Sequence, residues 1–389
     1  MYIGKGYTSM NNAERALLEL IKASLFSIPP HIPEDTDWTA VMNEAKSQAV
    51  LAIAAQSLPA EQYQLWTKNV YRQIANYYRV LHAQDELVRL FYRNGIQISI
   101  LKGTAAAVYY PVPSRRAMGD IDFIVLPERF EEAQKLMESN GYTVAHKEKR
   151  VFRHIGYEKS KIAFELHCKF SSHAVDVETI VMDGLRHIET KELEEYTFPV
   201  LPKLAGGIVL LAHISFHLQS GLGLRQMIDW MMYVDKELDD AYWESRFCAA
   251  ATEAGLDKLA IVSTRLCQKY LGLRESITWC SGADEALCDE LLEELLFSGN
   301  FGKKQGIGAQ VETVMTAIRG RGLFSYLQYA GKYNWTAYHR HSWLAPVCWL
   351  YQIFRYMGQV PKLMRRKNRL RDDLDHSKER YQLLQKLGF

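Results

Sequence analysis

Apolar positions in the first quarter of the chain recur at helical spacing. Leu17, Leu18 and Ile21 form one group and Val50, Ile53 and Ala54 another. The long segment QLWTKNVYRQIANYYRVLHAQDELVRLFYRNG follows, ending at Gly95, where a helix stop belongs. The period then shortens. IQISILKG reads as a short apolar strand ending in Lys102 and Gly103, TAAAVYYP as a turn or two of helix closed by Pro111, and DIDFIVLP as a second strand. PERFEEAQKLMESNGY is an amphipathic helix with Phe130, Ala133 and Met137 on one side, Pro127 before it and Gly141 after it. RVFRHIGYEKSKIAFELHCKF alternates as two strands joined by the polar turn EKSK. From LAGGIVLLAHISFH onward helical spacing returns and persists to the C-terminus. The pattern predicts an α+β protein: a helical N-terminal region over 1–90, a small mixed-sheet domain over 91–200, and a helical C-terminal domain over 201–389.

Composition adds few constraints. A chain of 389 residues with 48% hydrophobic content has ordinary buried cores, and a net charge of +2 makes no global case for nucleic acid as a partner. Charge is uneven, however: residues 361–371 carry six basic side chains and no acidic one. This reads as a solvated helix face, or as a phosphate or membrane contact. The six cysteines are scattered with no C-x-x-C pair, as in reduced thiols of a cytoplasmic protein. The N-terminus lacks the basic start and apolar core of a signal peptide. WLAPVCWLYQIFRYMGQV, residues 343–360, is interrupted by Pro346, Gln352 and Arg355 and falls short of a transmembrane segment. It reads as a core helix, with an interfacial helix as the alternative.

The candidate chemistry begins at Asp120 and Asp122, one residue apart at the start of a buried strand. Strand alternation points both the same way, so two like charges share a small volume. A divalent cation held by hard oxygens, Mg²⁺ or Mn²⁺, relieves that repulsion. A solvated strand edge or a strand cap reads the same pair without a metal. Gly103 and Thr104 follow the first strand where a helix begins, which suits either a phosphate site or a tight strand-to-helix turn. In KIAFELHCKF, Glu165 and His167 share one face and Ile162, Phe164 and Leu166 the other.

Taken together, ILKGTAAAVYYP, RRAMGDIDFIV and FELH resemble the nucleotidyltransferase superfamily built on the polymerase β fold. They resemble more closely a bacterial family of uncharacterised nucleotidyltransferases whose sheet is flanked by helical regions. LLAHISFH, LRQMIDW and SGNFGKK look like that family too, so the resemblance spans about residues 75–360, with its strict motifs in 100–167. It implies transfer of a nucleoside monophosphate from a nucleoside triphosphate such as ATP to an acceptor, with release of pyrophosphate. Carried over by position, Gly103 and Thr104 would hold the triphosphate, Asp120 and Asp122 the metal ions, and Glu165 the second metal while helping to deprotonate the acceptor. Lys102, Arg115 and Arg116 would offset the charge of pyrophosphate, Arg116 matching the family's R-x-x-G-D pattern. The chain departs from the superfamily in having Gly-Thr for Gly-Ser or Gly-Gly, a longer span from Thr104 to Asp120, and Glu as the third acid.

Other candidates are weaker. His213 and His217 stand one helical turn apart without the glutamate of H-E-x-x-H, so they pack in the helical domain, line the acceptor side of the cleft, or ligate a metal. Arg225 and Asp229 are spaced for an ion pair or a substrate contact. His167 either orients Glu165, touches the nucleotide or is a core histidine. Lys303 and Lys304 belong to a surface loop or reach a phosphate. A glycosyltransferase also uses D-x-D, but would show a longer strand-and-helix run before it. A catalytically weak or inactive protein that keeps the fold as a nucleotide- or partner-binding module is the rival from another class. The acceptor, whether small molecule, sugar, peptide or protein, is set by a cleft the sequence does not describe.

Overall fold

The computed structural model describes residues 10–145, 154–170, 175–302, 304, 307–358 and 370–389. Its centre is a seven-stranded mixed sheet of β1 (Ile98–Ile100), β2 (Ile121–Val125), β3 (Thr143–Val144), β4 (His154–Lys159), β5 (Ile162–His167), β6 (Glu189–Leu193) and β7 (Tyr196–Val200), in the order β3-β4-β5-β2-β1-β7-β6. β2 runs antiparallel to β1 and parallel to β5, and every residue of β2 is buried. That burial explains why IDFIV is apolar apart from one aspartate. The β4–β5 hairpin turns on Ser160 and Lys161, at φ of 54° and 61°, the positive values that a tight two-residue turn demands.

The pair β6 and β7 is an addition to the pattern read from the sequence. β6, ETKEL, buries only its last residue and carries no alternation, and β7 alternates with Phe198 and Val200 buried but contains Pro199, which argues against a strand. Their place is set by the parallel bridge from Val200 to Ile100 of β1.

Helices surround the sheet. The longest, Ala60–Arg93, starts after Pro59 and stops just before Gly95, whose φ of 63° suits a glycine. It joins two buried clusters. Trp66 and Val70 pack with helices before the sheet and with Lys203–Leu218, Leu224–Glu237, Asp257–Leu271 and Glu285–Ser298 after it. Farther along, Tyr77, Leu81, Leu87 and Phe91 cover the sheet, with the Phe91 ring edge-on to Phe123 at 5.4 Å. Helix Phe130–Ser139 adds Ala133 and Met137 to that second cluster, as its amphipathic pattern predicts.

Within the stretch 343–360 the described residues, 343–358, do not form a core helix. They form a 3₁₀ run, Ser342–Val347, and a helix, Cys348–Met357, in which only Cys348 and Gln352 are buried. Trp343, Phe354 and Met357 are 75%, 67% and 60% exposed. Helix Leu323–Asn334 packs against this stretch at Gly331, where a Cβ would stand 2.0 Å from the Cys348 carbonyl oxygen. Apolar composition signalled burial there, but among the described residues much of that surface is left exposed. Among the described residues no helix is long and apolar enough to cross a membrane. All six cysteines are free thiols. Of the basic stretch 361–371, residues 361–369 lie outside the described residues, as does Lys303.

Candidate active site

Register builds the acidic centre. Asp122 of β2 and Glu165 of β5 are Cα partners across the parallel pair, and alternation puts His167 on the face of Glu165. His167 Nε2 lies 3.2 Å from Asp122 Oδ1 and 3.5 Å from Glu165 Oε2. One donor atom from each of Asp122, Glu165 and His167 falls within 4.8 Å of the other two. Asp120 precedes β2 and is exposed at the cleft edge, outside that group. Two carboxylates and an imidazole, with a third carboxylate beside them, fit a divalent metal ion chemically.

Lys102 supplies the neutralising charge. Its Nζ sits 2.9 Å from Asp122 Oδ1. Burial works against the ammonium, yet Asp122, Asp120 and Glu165 together hold its pKa above the ordinary lysine value. Burial likewise disfavours charge on Asp122, but Lys102 and then His167 hold its carboxyl well below the usual carboxylate range. Asp120 goes the other way. The negative charge of Asp122, followed by partial loss of water at the cleft edge, pushes its carboxyl up to about 6. For His167 burial is outweighed by the hydrogen bond to Asp122 and the nearby Glu165 carboxylate, which raise its pKa.

Gly103, at φ 66°, is the residue before the short helix Thr104–Ala107, and it lines the cleft with bare backbone. Thr104 does not present its hydroxyl there: the side chain is 1% exposed and donates to Gln84 of the long helix. Arg116 is 3% exposed and forms a two-point pair with Asp229, Nε to Oδ1 at 2.7 Å and an Nη to Oδ2 at 2.6 Å. Tyr110 donates to the same Asp229 at 2.6 Å. Gln73 and Asn76 donate to the carbonyls of Arg115 and Met118, so the loop before Asp120 is pinned to the long helix as well.

The opposite wall comes from helices Lys203–Leu218 and Leu224–Glu237. With the sheet edge they enclose a cleft of about 730 Å³, lined by Lys102, Gly103, Arg116, Asp120, Asp122, Glu165 and His167 on one side and His213, His217 and Arg225 on the other. That volume suits a nucleotide-sized ligand. The His213 and His217 rings meet edge-on at 4.3 Å. Burial and then the nearby Lys102 keep both neutral, His213 well below its usual value and His217 near 3. An Nη of Arg225 donates to the Ala117 carbonyl at 3.4 Å, while both oxygens of Asp229 are engaged by Arg116. Lys304 is tied to Glu44 at 2.6 Å.

Sequence reasoning passed over several residues here. Asp229 as the partner of Arg116, and Gln84 as the partner of Thr104, lie too far along the chain for any spacing rule. His154, across the hairpin from His167, lines the cleft with its ring centre 5.2 Å from that of His167. Gln226 lines it too, with a buried amide that makes no hydrogen bond among the described residues. Only the alternation of β4 could have flagged His154. The chain belongs to the family of uncharacterised nucleotidyltransferases, whose model matches residues 34–272. No curated protein matches it.

Proposed function

From that membership we propose that the protein transfers a nucleoside monophosphate from a nucleoside triphosphate, ATP among the candidates, to an acceptor hydroxyl. One observation carries the reading: Asp122 and Glu165 stand side by side on β2 and β5, with Asp120 at the same cleft edge and Lys102 against them. The acceptor's oxygen forms a bond to the α-phosphorus, the bond to the bridging oxygen breaks, and pyrophosphate leaves with that electron pair. Asp120, Asp122 and Glu165 would hold Mg²⁺ or Mn²⁺. When bound, such ions offset the charge on the entering and leaving oxygens of an in-line displacement.

The chain's own residues do the rest. Gly103 lets phosphate oxygens approach the backbone, and Lys102 supplies positive charge for the departing pyrophosphate. Glu165, the least enclosed of the acidic pair on the two strands, takes the acceptor proton. Neutral His213 and His217, with Arg225, form the acceptor side of the cleft. Arg116 acts by position: bound to Asp229, it holds the loop before Asp120 against helix Leu224–Glu237. The acceptor would be a small molecule, sugar, peptide or protein.

Calorimetric titration with ATP, GTP, CTP and UTP, with and without Mg²⁺, tests this, repeated on Asp122→Asn. Metal-dependent binding that the substitution removes is the expected result. Folded protein that binds no nucleotide would overturn it. The engagement of Thr104 by Gln84 and of Arg116 by Asp229 favours a second reading, a catalytically weak or inactive nucleotide- or partner-binding module. Metal-dependent nucleotide binding without turnover on any acceptor would select that reading.

A further inference from the structure

The D-x-D spacing pairs Asp120 with Asp122, yet the donor atoms that converge belong to Asp122, Glu165 and His167. The reason lies in the register. Asp122 faces Glu165 directly, and His167 follows Glu165 by two residues on the same face, with its Nε2 near both carboxylates. Asp120 lies on the far side of Asp122, before the strand begins.

A hydrogen-bonding role accounts poorly for this arrangement. One ring nitrogen, Nε2, lies 3.2 Å from an oxygen of Asp122 and 3.5 Å from an oxygen of Glu165. A single N–H points along one line and serves one acceptor well. Asp122 Oδ1 already has Lys102 Nζ at 2.9 Å. An ion placed among the three would instead accept all of them at once. A metal at about 2.1 Å from each donor needs neighbouring donors roughly 3 Å apart. The two distances to His167 are close to that.

We propose that His167 is a direct metal ligand, its Nε2 completing with Asp122 and Glu165 a two-carboxylate, one-imidazole set that takes a divalent transition-metal ion such as Mn²⁺ in preference to Mg²⁺. Imidazole favours first-row transition metals, whereas an all-oxygen site favours Mg²⁺. The inference rests on the nucleotidyltransferase reading for the purpose of the ion, but not for its ligands.

The test uses the full chain and Mn²⁺ alone. Electron paramagnetic resonance gives the affinity from the free-ion signal, and pulsed measurement on the bound ion detects coupling to directly bonded ¹⁴N. The expected result is a nitrogen coupling that changes to the ¹⁵N pattern when the histidines are ¹⁵N-labelled. In His167→Gln the coupling disappears and Mn²⁺ binds at least about tenfold more weakly. Labelling reads the wild-type protein, so the proposal remains testable if the variant fails to fold. Bound Mn²⁺ without nitrogen coupling, coupling that survives in folded His167→Gln, or no Mn²⁺ binding would each overturn it. Mg²⁺ displacing Mn²⁺ at equal concentration would overturn the preference. Nitrogen-coupled Mn²⁺ in a protein that binds no nucleotide would sink the functional reading and leave this one standing.

Discussion

The charges of the cleft are set by which side chain reaches which. Asp122 is buried and paired with Lys102 at 2.9 Å, so it stays ionised where an isolated buried carboxyl would take up a proton. Asn at this position would remove a proposed metal donor and the carboxylate nearest to Lys102. Asp122→Asn therefore loses metal-dependent nucleotide binding altogether, measured by calorimetry, with circular dichroism reporting whether the fold persists. Glu165 differs in having its side chain 34% exposed toward the cleft. Glu165→Gln is expected to retain nucleotide binding largely and to slow transfer by about 10²- to 10⁴-fold, the range for losing a positioned base. Single-turnover kinetics beside a binding titration separate the two. Equal loss of both would assign Glu165 to binding instead.

At the scale of elements, the cleft depends on pairs that bring distant segments together. Asp229 of helix Leu224–Glu237 takes both Arg116 and Tyr110, and all three are buried. Burial alone would lower the Arg116 pKa, but Asp229 raises it above the ordinary value. Removing the carboxylate leaves an uncompensated buried guanidinium, which costs about 3–5 kcal/mol. Asp229→Ala is expected to lose that much in urea unfolding. Wild-type stability in the variant would mean that the pair carries no structural weight. A second contact is purely steric. Gly331 lets helix Leu323–Asn334 approach the backbone at Cys348, and any Cβ there forces the helices apart. Gly331→Ala should cost about 1–3 kcal/mol, as overpacking does, and an unchanged unfolding midpoint would argue against that close approach.

For the whole molecule, the histidines of the opposite wall link stability to pH. His217 is depressed to about 3 and His213 also lies well below its usual value, burial being the main cause. An unfolded chain titrates histidine near 6.5. Below that pH the unfolded state binds protons that the folded state refuses, so stability is fully present above about 6.5 and falls as the solution is acidified. Urea midpoints at pH 7.5 and 5 should show that fall, and it should shrink in the double variant His213→Asn, His217→Asn. An identical fall in both proteins would place the acid sensitivity elsewhere.

Much of this protein was legible from one dimension. The helix stop at Gly95, the strands around Ser99 and Phe123, the EKSK hairpin and the common face of Glu165 and His167 all follow from local rules of period, turn chemistry and alternation. Local rules fail where the decisive partner is remote. The strand ETKEL exists because a neighbouring strand accepts it, not because its residues favour a sheet. The apolar run around Trp343 looks buried by composition, yet Trp343, Phe354 and Met357 are largely exposed. The family resemblance placed Arg116 with the phosphates and spacing placed Asp229 with Arg225, whereas the fold joins Arg116 to Asp229 across more than a hundred residues. By itself, then, the sequence determined which residues can carry charge chemistry and which faces they share along each strand. Only the tertiary structure decided that Asp122, Glu165 and His167 converge while Thr104 turns away, because parallel register and side-chain burial are properties of paired elements that no single segment contains.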